Sequence, residues 1–314
     1  MATSSPSLPV GSRAARAALA TRLPAMVLAG ILRAFRACLR AGASFCLICT
    51  YQIKHSVMSN TPSPTDKEVV RAPHAPLTEY YEDEAARLGF LRDIFDKTAS
   101  DYDRVERLLC FGSGSWYRRQ ALIRAGLKPG MRILDVAVGT GLVAREAVVV
   151  TGDAALVTGI DPSVGMMNQA NLPGVKLIEG RAESLPFPDA SVDFLSMGYA
   201  LRHMSDLSAV FTEFRRVLKP GGRLCILEIT RPEGRVRNIG LKFYMRKIVP
   251  LLARCIGASP ETALLWRYYW DTIENCVPYE TVMAALEAAG FEQVDRFVEI
   301  KALGIFSEYQ ALRP

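Results

Sequence analysis

Between residues 132 and 229 two kinds of segment take turns, and this alternation constrains the fold more than any other feature of the chain. Residues 132–137 read as a buried strand, 142–150 as a helix, 156–160 as a strand and 163–170 as a helix. Residues 176–178 and 192–197 read as strands, 207–218 as a helix and 223–229 as another strand. Strands alternating with helices at this spacing build βαβ units, which cover a parallel sheet on both faces. Such a sheet binds ligands beyond the carboxyl ends of its strands, where the strand order reverses. The loops after Asp135, Asp161, Ile178 and Met197 are therefore where a site is expected. Upstream, a helical pattern runs from about Tyr81 to Leu109, with Ala85, Leu88, Leu91, Phe95 and Ala99 at three- and four-residue steps. Gly112-Ser-Gly114 breaks it, and a second helix follows to about Ala125.

The first strand of the series ends in Asp135-Val-Ala-Val-Gly139-Thr140-Gly141, which opens the next helix. Gly139 and Gly141 let the backbone pass close to a ligand that a Cβ would push away. The helix that follows offers free N–H groups. Asp161 stands twenty residues beyond Gly141, at the end of the second strand. A carboxylate there accepts hydrogen bonds from both hydroxyls of a ribose, each worth roughly 1.5–3 kcal/mol. These residues alone leave the cofactor open. Gly139-x-Gly141-x-x-Ala144 also satisfies the relaxed dinucleotide fingerprint, so a nicotinamide or flavin oxidoreductase is a rival reading. A glycine turn needed only for close helix–strand packing is another. Asp135, four residues before the first glycine, leans away from a dinucleotide. It suits a cofactor that ends in an amino acid, whose ammonium needs a negative or carbonyl-rich surround.

Charge matters once it is divided along the chain. The first acidic residue is Asp66, and the six arginines and Lys54 before it give residues 1–65 a charge of +7. The whole chain is +6, which leaves residues 66–314 at −1 and argues against a nucleic-acid partner for the main domain. In the extension, Arg33, Arg36 and Arg40 fall on one helical face and Leu28, Ile31, Phe35 and Leu39 largely on the other. Residues 1–57 thus read as a basic amphipathic extension: a mitochondrial presequence, a membrane-surface helix, or in-frame sequence upstream of a true start at Met58. Residues 58–79, rich in Ser, Pro and Thr, read as a linker, and 80–314 as the main domain. Seven scattered cysteines include Cys46-Leu-Ile-Cys49, but no second such pair or histidine pair completes a metal set. They read as structural or incidental thiols of a reducing compartment.

Three more stretches, taken with the glycine turn, resemble the class I S-adenosylmethionine-dependent methyltransferases. They are Gly180-Arg-Ala-Glu-Ser-Leu-Pro-Phe-Pro-Asp189, Ser191-Val-Asp-Phe-Leu195 and Arg216-Val-Leu-Lys-Pro-Gly-Gly-Arg-Leu224. Phe95-Asp-Lys-Thr-Ala-Ser-Asp-Tyr-Asp103, Phe111-Gly112, Leu134-Asp-Val-Ala-Val-Gly-Thr-Gly141 and Leu201-Arg202 narrow the resemblance to the ubiquinone/menaquinone C-methyltransferases over roughly residues 85–314. The resemblance implies an α/β fold: a seven-strand Rossmann-like class I methyltransferase sheet with an N-terminal helical cap and a helical insertion. It also implies that Thr140 and the Gly139/Gly141 backbone line the methionine end of S-adenosylmethionine, the amino-acid end that Asp135 suits. Asp161 takes the ribose, Arg181 and Ala182 lie beside the adenine, and Gly198 lies by the sulfonium, to which Tyr199 offers an aromatic face.

The chain departs from those enzymes near the cofactor. They usually carry Asp after Gly-Thr-Gly, where this chain has Leu142, and Asn after Leu-Arg, where it has His203; a neutral amide or Asp commonly stands in place of Arg181. The variant pattern Gly141-Leu-Val-Ala-Arg145, Gly198-Tyr-Ala-Leu-Arg-His203 and Tyr268-Tyr-Trp-Asp-Thr-Ile-Glu274 is similar to the rhodoquinone biosynthesis proteins. In those, S-adenosylmethionine donates an amino group that replaces a ubiquinone methoxy group. This is the favoured reading, with quinone C-methylation as the alternative, then a dinucleotide-dependent oxidoreductase or a non-catalytic member of a quinone-synthesis assembly. The catalytic candidates are Tyr199, Arg202, His203 and Asp271. With a pKa near 6.5, His203 could shuttle a proton, or it could simply hold a loop. Arg202 could polarise a quinone oxygen or pair with Asp206. Asp271, three residues before Glu274 on one helical face, could serve acid–base chemistry, help hold a divalent metal, or lie on a solvated face. Residues 231–285 form the insertion, where Phe243, Tyr244, Trp266, Tyr268, Tyr269, Trp270 and Tyr279 suit a flat ring with an isoprenoid tail taken from a membrane surface. The expected partners are a prenylated quinone, a peripheral membrane surface, and a second copy or a quinone-synthesis complex. The expected location is cytoplasmic at the inner membrane, or on the matrix side if residues 1–57 are a presequence.

Overall fold

The computed structural model describes residues 72–109, 113–232, 234–299 and 305–314. The extension, Cys46, Cys49, Phe111 and residues 58–71 of the linker lie outside the described residues, which belong to the unit Asp66–Pro314. Seven strands form one sheet in the order β3-β2-β1-β4-β5-β7-β6. They are β1 (Ile133–Val136), β2 (Val157–Asp161), β3 (Lys176–Glu179), β4 (Val192–Gly198), β5 (Leu218–Ile229), β6 (Glu292–Val298) and β7 (Phe306–Leu312). The first five run parallel, and β7 is antiparallel to both β5 and β6. The class and strand count expected above are those observed. One strand begins earlier than its sequence suggests. Residues 219–222, left between the helix and the strand read from the sequence, are carried within β5, where pairing to β4 jumps from Val192↔Leu218 to Phe194↔Arg223.

The sheet is covered as its sequence requires. All four residues of β1 are buried, because helices pack on both of its faces. On one side, α2 (Gly114–Arg124) and α3 (Leu142–Thr151) place Leu122, Val143, Ala144 and Ala147 against Phe194 and Leu227. On the other, α5 (Leu207–Val217) buries Leu207, Val210, Phe211, Phe214 and Val217, a stripe at helical spacing. The Asp206 side chain caps α5 by accepting from the Ser208 and Ala209 N–H groups. The short α4 (Val164–Gln169) follows β2, and α9 (Tyr279–Ala288) joins α5 through Val282 and Leu286.

A third apolar cluster lies in the cap and insertion. The cap helix α1 (Glu84–Leu109) supplies Leu91, Ile94 and Val105. The insertion supplies α6 (Arg235–Phe243), a π-turn (Tyr244–Ile248), α7 (Val249–Cys255) and α8 (Pro260–Asn275). Met245, Val249, Leu265, Trp266 and Trp270 pack against the α1 side chains. Cap and insertion therefore form one aromatic body, with Phe95 of α1 and Tyr269 of α8 in ring contact.

Candidate functional site

One cavity of about 540 Å³ opens beyond the carboxyl ends of the parallel strands. The loops after β1, β2, β3 and β4 form one wall, and Phe95, Leu241, Tyr244, Met245, Trp266 and Tyr269 form the other. The volume suits a small-molecule ligand.

The glycine turn is shaped by its backbone. Gly139 and Gly141 have φ of 54° and 82°, and a Cβ on Gly141 would lie 2.5 Å from Leu172. Both glycines are thus needed locally, the second for space as well as for its dihedral. Gly198 lines the cavity at the end of β4, and a Cβ there would lie 2.6 Å from Val143. Its bareness lets α3 approach the sheet, a packing reason that stands beside its place in the cavity.

The two acids of the turn lie where their strand positions put them. Asp161 Oδ2 accepts from the Gly139 N–H and Oδ1 from the Ser163 N–H, each at 2.8 Å. It joins the glycine turn to the start of α4 and keeps further lone pairs that hydroxyl donors in the cavity could use. Asp135 Oδ1 accepts from the Ser196 hydroxyl at 2.6 Å, while Oδ2 is buried without a well-formed hydrogen bond among the described residues, the Ala144 backbone N–H being its weak neighbour. Such a buried carboxylate oxygen at the cavity wall fits an ammonium group. Burial pushes the Asp135 carboxyl up to about 7 despite the Ser196 hydrogen bond. It pushes Asp161 up to about 6 despite the two backbone donors. Ala182 is buried at the wall, and Arg181 lies at the rim beside Glu183 at 3.3 Å.

These shifts have a sign. Both carboxyls hold a proton more tightly folded than unfolded, so their contribution to stability falls as pH rises from about 4 through 6 and 7. A cation near Asp135 and hydroxyl donors at Asp161 favour the ionised forms. S-adenosylmethionine binding is therefore expected to tighten between about pH 5.5 and 7.5 and to release protons. Calorimetry in buffers of differing ionisation enthalpy measures that release, and proton uptake on binding would reverse the assignment.

The cap helix contributes polar groups that the sequence left without a role. Asp96 accepts from the Ser163 hydroxyl and from the Gly165 N–H, and Asp103 accepts from the Thr140 hydroxyl. Seven residues apart on α1, they fasten the cap to the loops after β1 and β2. Thr140 thus lines the cavity with its hydroxyl committed to Asp103. Arg118 also lines the cavity, pairs with Glu106 at 2.6 Å and lies 5.4 Å from the Tyr199 ring centroid. That ring also lines the cavity, on a residue with φ of 60°.

Three expectations are corrected. Arg202 does not pair with Asp206, which caps α5 instead. It is buried, ion-paired with Glu228, and donates to Thr272 Oγ1 at 3.1 Å and to the Tyr199 carbonyl at 2.8 Å. His203 does not titrate near neutrality: burial, then the nearby Arg202 charge, holds its pKa well below 6.5. The neutral imidazole is stacked on Tyr268 and Tyr269 and meets Phe95 edge-on, and neither ring nitrogen has a partner among the described residues. It can donate one hydrogen bond and accept another. Asp271 is not among the cavity-lining residues. It is buried, accepts from the Tyr80 hydroxyl and lies 3.6 Å from Arg246, while Glu274 is held by Lys242 and Trp270. Among the described residues no cluster of His, Cys, Asp and Glu forms a metal-binding set.

Comparison with known proteins identifies the family and agrees with the fold. The model of the ubiE/COQ5 methyltransferase family matches residues 82–311. A relative from Campylobacter jejuni named ubiquinone/menaquinone biosynthesis C-methyltransferase UbiE is 33% identical over 213 residues, covering 65% of this chain and 89% of that protein. A relative of the same name from Shewanella halifaxensis is 30% identical over 210 residues, covering 64% and 82%. The solved structure of a SAM-dependent methyltransferase from Thermotoga maritima, a possible histamine N-methyltransferase, shares the fold. Its TM-score is 0.51 at 22% identity, covering 71% of this chain and all of that one. The family match supports C-methylation more directly than amino transfer. The alternation of strands, the acid-flanked glycine turn and the match over most of the length lead to one conclusion: the chain belongs to the ubiE/COQ5 methyltransferase family and is an S-adenosylmethionine-dependent enzyme.

Proposed function

We propose that this enzyme transfers a group from S-adenosylmethionine to the ring of a prenylated quinone. The observation that carries the reading is the continuity of the cavity. It runs from Asp135 and Asp161 to a chamber walled by His203, Trp266, Tyr269 and Leu241. When bound, S-adenosylmethionine supplies an electrophilic carbon next to a sulfonium. Asp135 holds its ammonium, Asp161 its ribose and Ala182 the side of its adenine, with Arg181 at the rim. Gly198 leaves room near the sulfonium and Tyr199 offers a ring edge or face. His203, neutral, hydrogen-bonds a ring oxygen of the substrate, and the aromatic lid excludes water. Arg202, which lines the cavity, holds the Tyr199 carbonyl in place, and its other terminal nitrogen, buried without a partner among the described residues, is available to polarise a ring oxygen of the substrate.

Methyl transfer to a ring carbon is the reading the relatives' printed names support. Amino transfer in place of a methoxy group, as in rhodoquinone biosynthesis, has a specific observation in its favour. Leu142, Arg181 and His203, the three departures from the C-methyltransferase pattern, all line the same cavity. Incubation with S-adenosylmethionine, ubiquinone and its demethyl precursor, followed by mass spectrometry, separates the two. An added methyl on the precursor supports the first reading and an amino group in place of a methoxy supports the second. Both substrates returned unchanged would overturn quinone-ring chemistry altogether.

A further inference from the structure

We infer that the α6–α7 face of the insertion is a docking surface for an anionic phospholipid bilayer. No residue of α6 is buried. Val236, Ile239 and Phe243 lie at i, i+3 and i+7 on one side of it and are 83%, 62% and 60% exposed, and Leu251 of α7 is 58% exposed. Four of the eight large apolar side chains exposed among the described residues thus fall between positions 236 and 251, a concentration that a solvated face has no reason to keep. Residues 234–256 carry six basic side chains and no acidic one, in a main domain (80–314) whose net charge is zero. Lys242 and Arg246 are engaged by Glu274 and Asp271. Arg235, Arg237, Lys247 and Arg254 are exposed and form no ion pair among the described residues.

Apolar side chains on a helix bordered by free cations match the chemistry of an interfacial helix on anionic lipid. A second copy fits worse, since a two-fold contact would set this basic rim against itself. Placement gives the surface a purpose. Leu241 of α6, with Tyr244 and Met245 of the π-turn, lines the cavity, so the helix that would rest on the lipid also walls the substrate chamber. This inference deepens the reading of a tailed quinone as substrate. Its test uses no quinone, so its failure leaves that reading to the product assay.

The test is hydrogen exchange on the full chain, with vesicles of phosphatidylcholine alone or mixed with phosphatidylglycerol. Residues 235–255 are expected to be protected by the mixed vesicles, less so at high salt, and much less by the neutral ones. In the triple variant Val236→Ser, Ile239→Ser, Phe243→Ser, half-protection should require about tenfold more lipid or worse. S-adenosylmethionine binding by that variant should be unchanged, which shows that it is folded. The readout is local, so lipid binding by residues 1–57 does not mimic it. Equal exchange of this segment with and without anionic vesicles overturns the inference. Protection that grows with protein concentration in the absence of lipid, or that needs an added acidic protein, overturns it as well.

Discussion

Asp161→Ala is expected to abolish S-adenosylmethionine binding in calorimetry. The carboxylate serves two masters. Its oxygens accept from the Gly139 and Ser163 N–H groups, so it sets the glycine turn against the start of α4. It also faces the cavity as the acceptor proposed for two ribose hydroxyls. Losing two such hydrogen bonds costs roughly 3–6 kcal/mol, on the order of two to four decades in affinity. Two N–H groups are left without their acceptor as well, which loosens the turn. Asp161→Asn keeps one acceptor oxygen and should bind measurably, though weakly. Undiminished affinity in the alanine variant would remove the ribose assignment.

The second large effect is on stability. Arg202→Met leaves Glu228 buried without its cation, a change that costs about 3–5 kcal/mol. For a domain of this size that lowers the melting temperature by about 10 °C. The double variant Arg202→Met, Glu228→Gln removes both charges and should recover much of the loss, because the desolvation cost goes with the pair. The single variant should also lose activity, since the Arg202 guanidinium holds the Tyr199 carbonyl at the cavity. A melting temperature unchanged by Arg202→Met would show that the pair is not held in solution as it is here.

The parts of this protein legible in its sequence are those fixed by short-range pattern. Strand ends placed Asp135, the glycine turn and Asp161 at one edge of the sheet, because a parallel sheet presents all its carboxyl ends together. The illegible parts depend on distant segments meeting. Asp96 and Ser163 lie 67 positions apart, and only the packing of α1 on α4 joins them. Arg202 has a nearby acid in sequence, Asp206, but its true partner Glu228 comes from the neighbouring strand. His203 was readable as a histidine near a strand end, but its neutrality was not. That neutrality follows from burial against Tyr268 and Tyr269 of the insertion, whose position no local spacing encodes. Asp271 shared a helical face with Glu274 as expected, but Tyr80 and Arg246 hold it away from the cavity.

The position of β7 between β5 and β6 has a consequence for how the enzyme comes into being. During synthesis every helix and six strands are complete before residue 306 appears, yet β5 still shows an open border where β7 must insert. Glu228, which anchors Arg202, lies on that border opposite Ser307. A nascent chain therefore has the glycine turn and Asp161 in place early but gains the finished support for the loop after β4 only when residues 306–312 leave the ribosome.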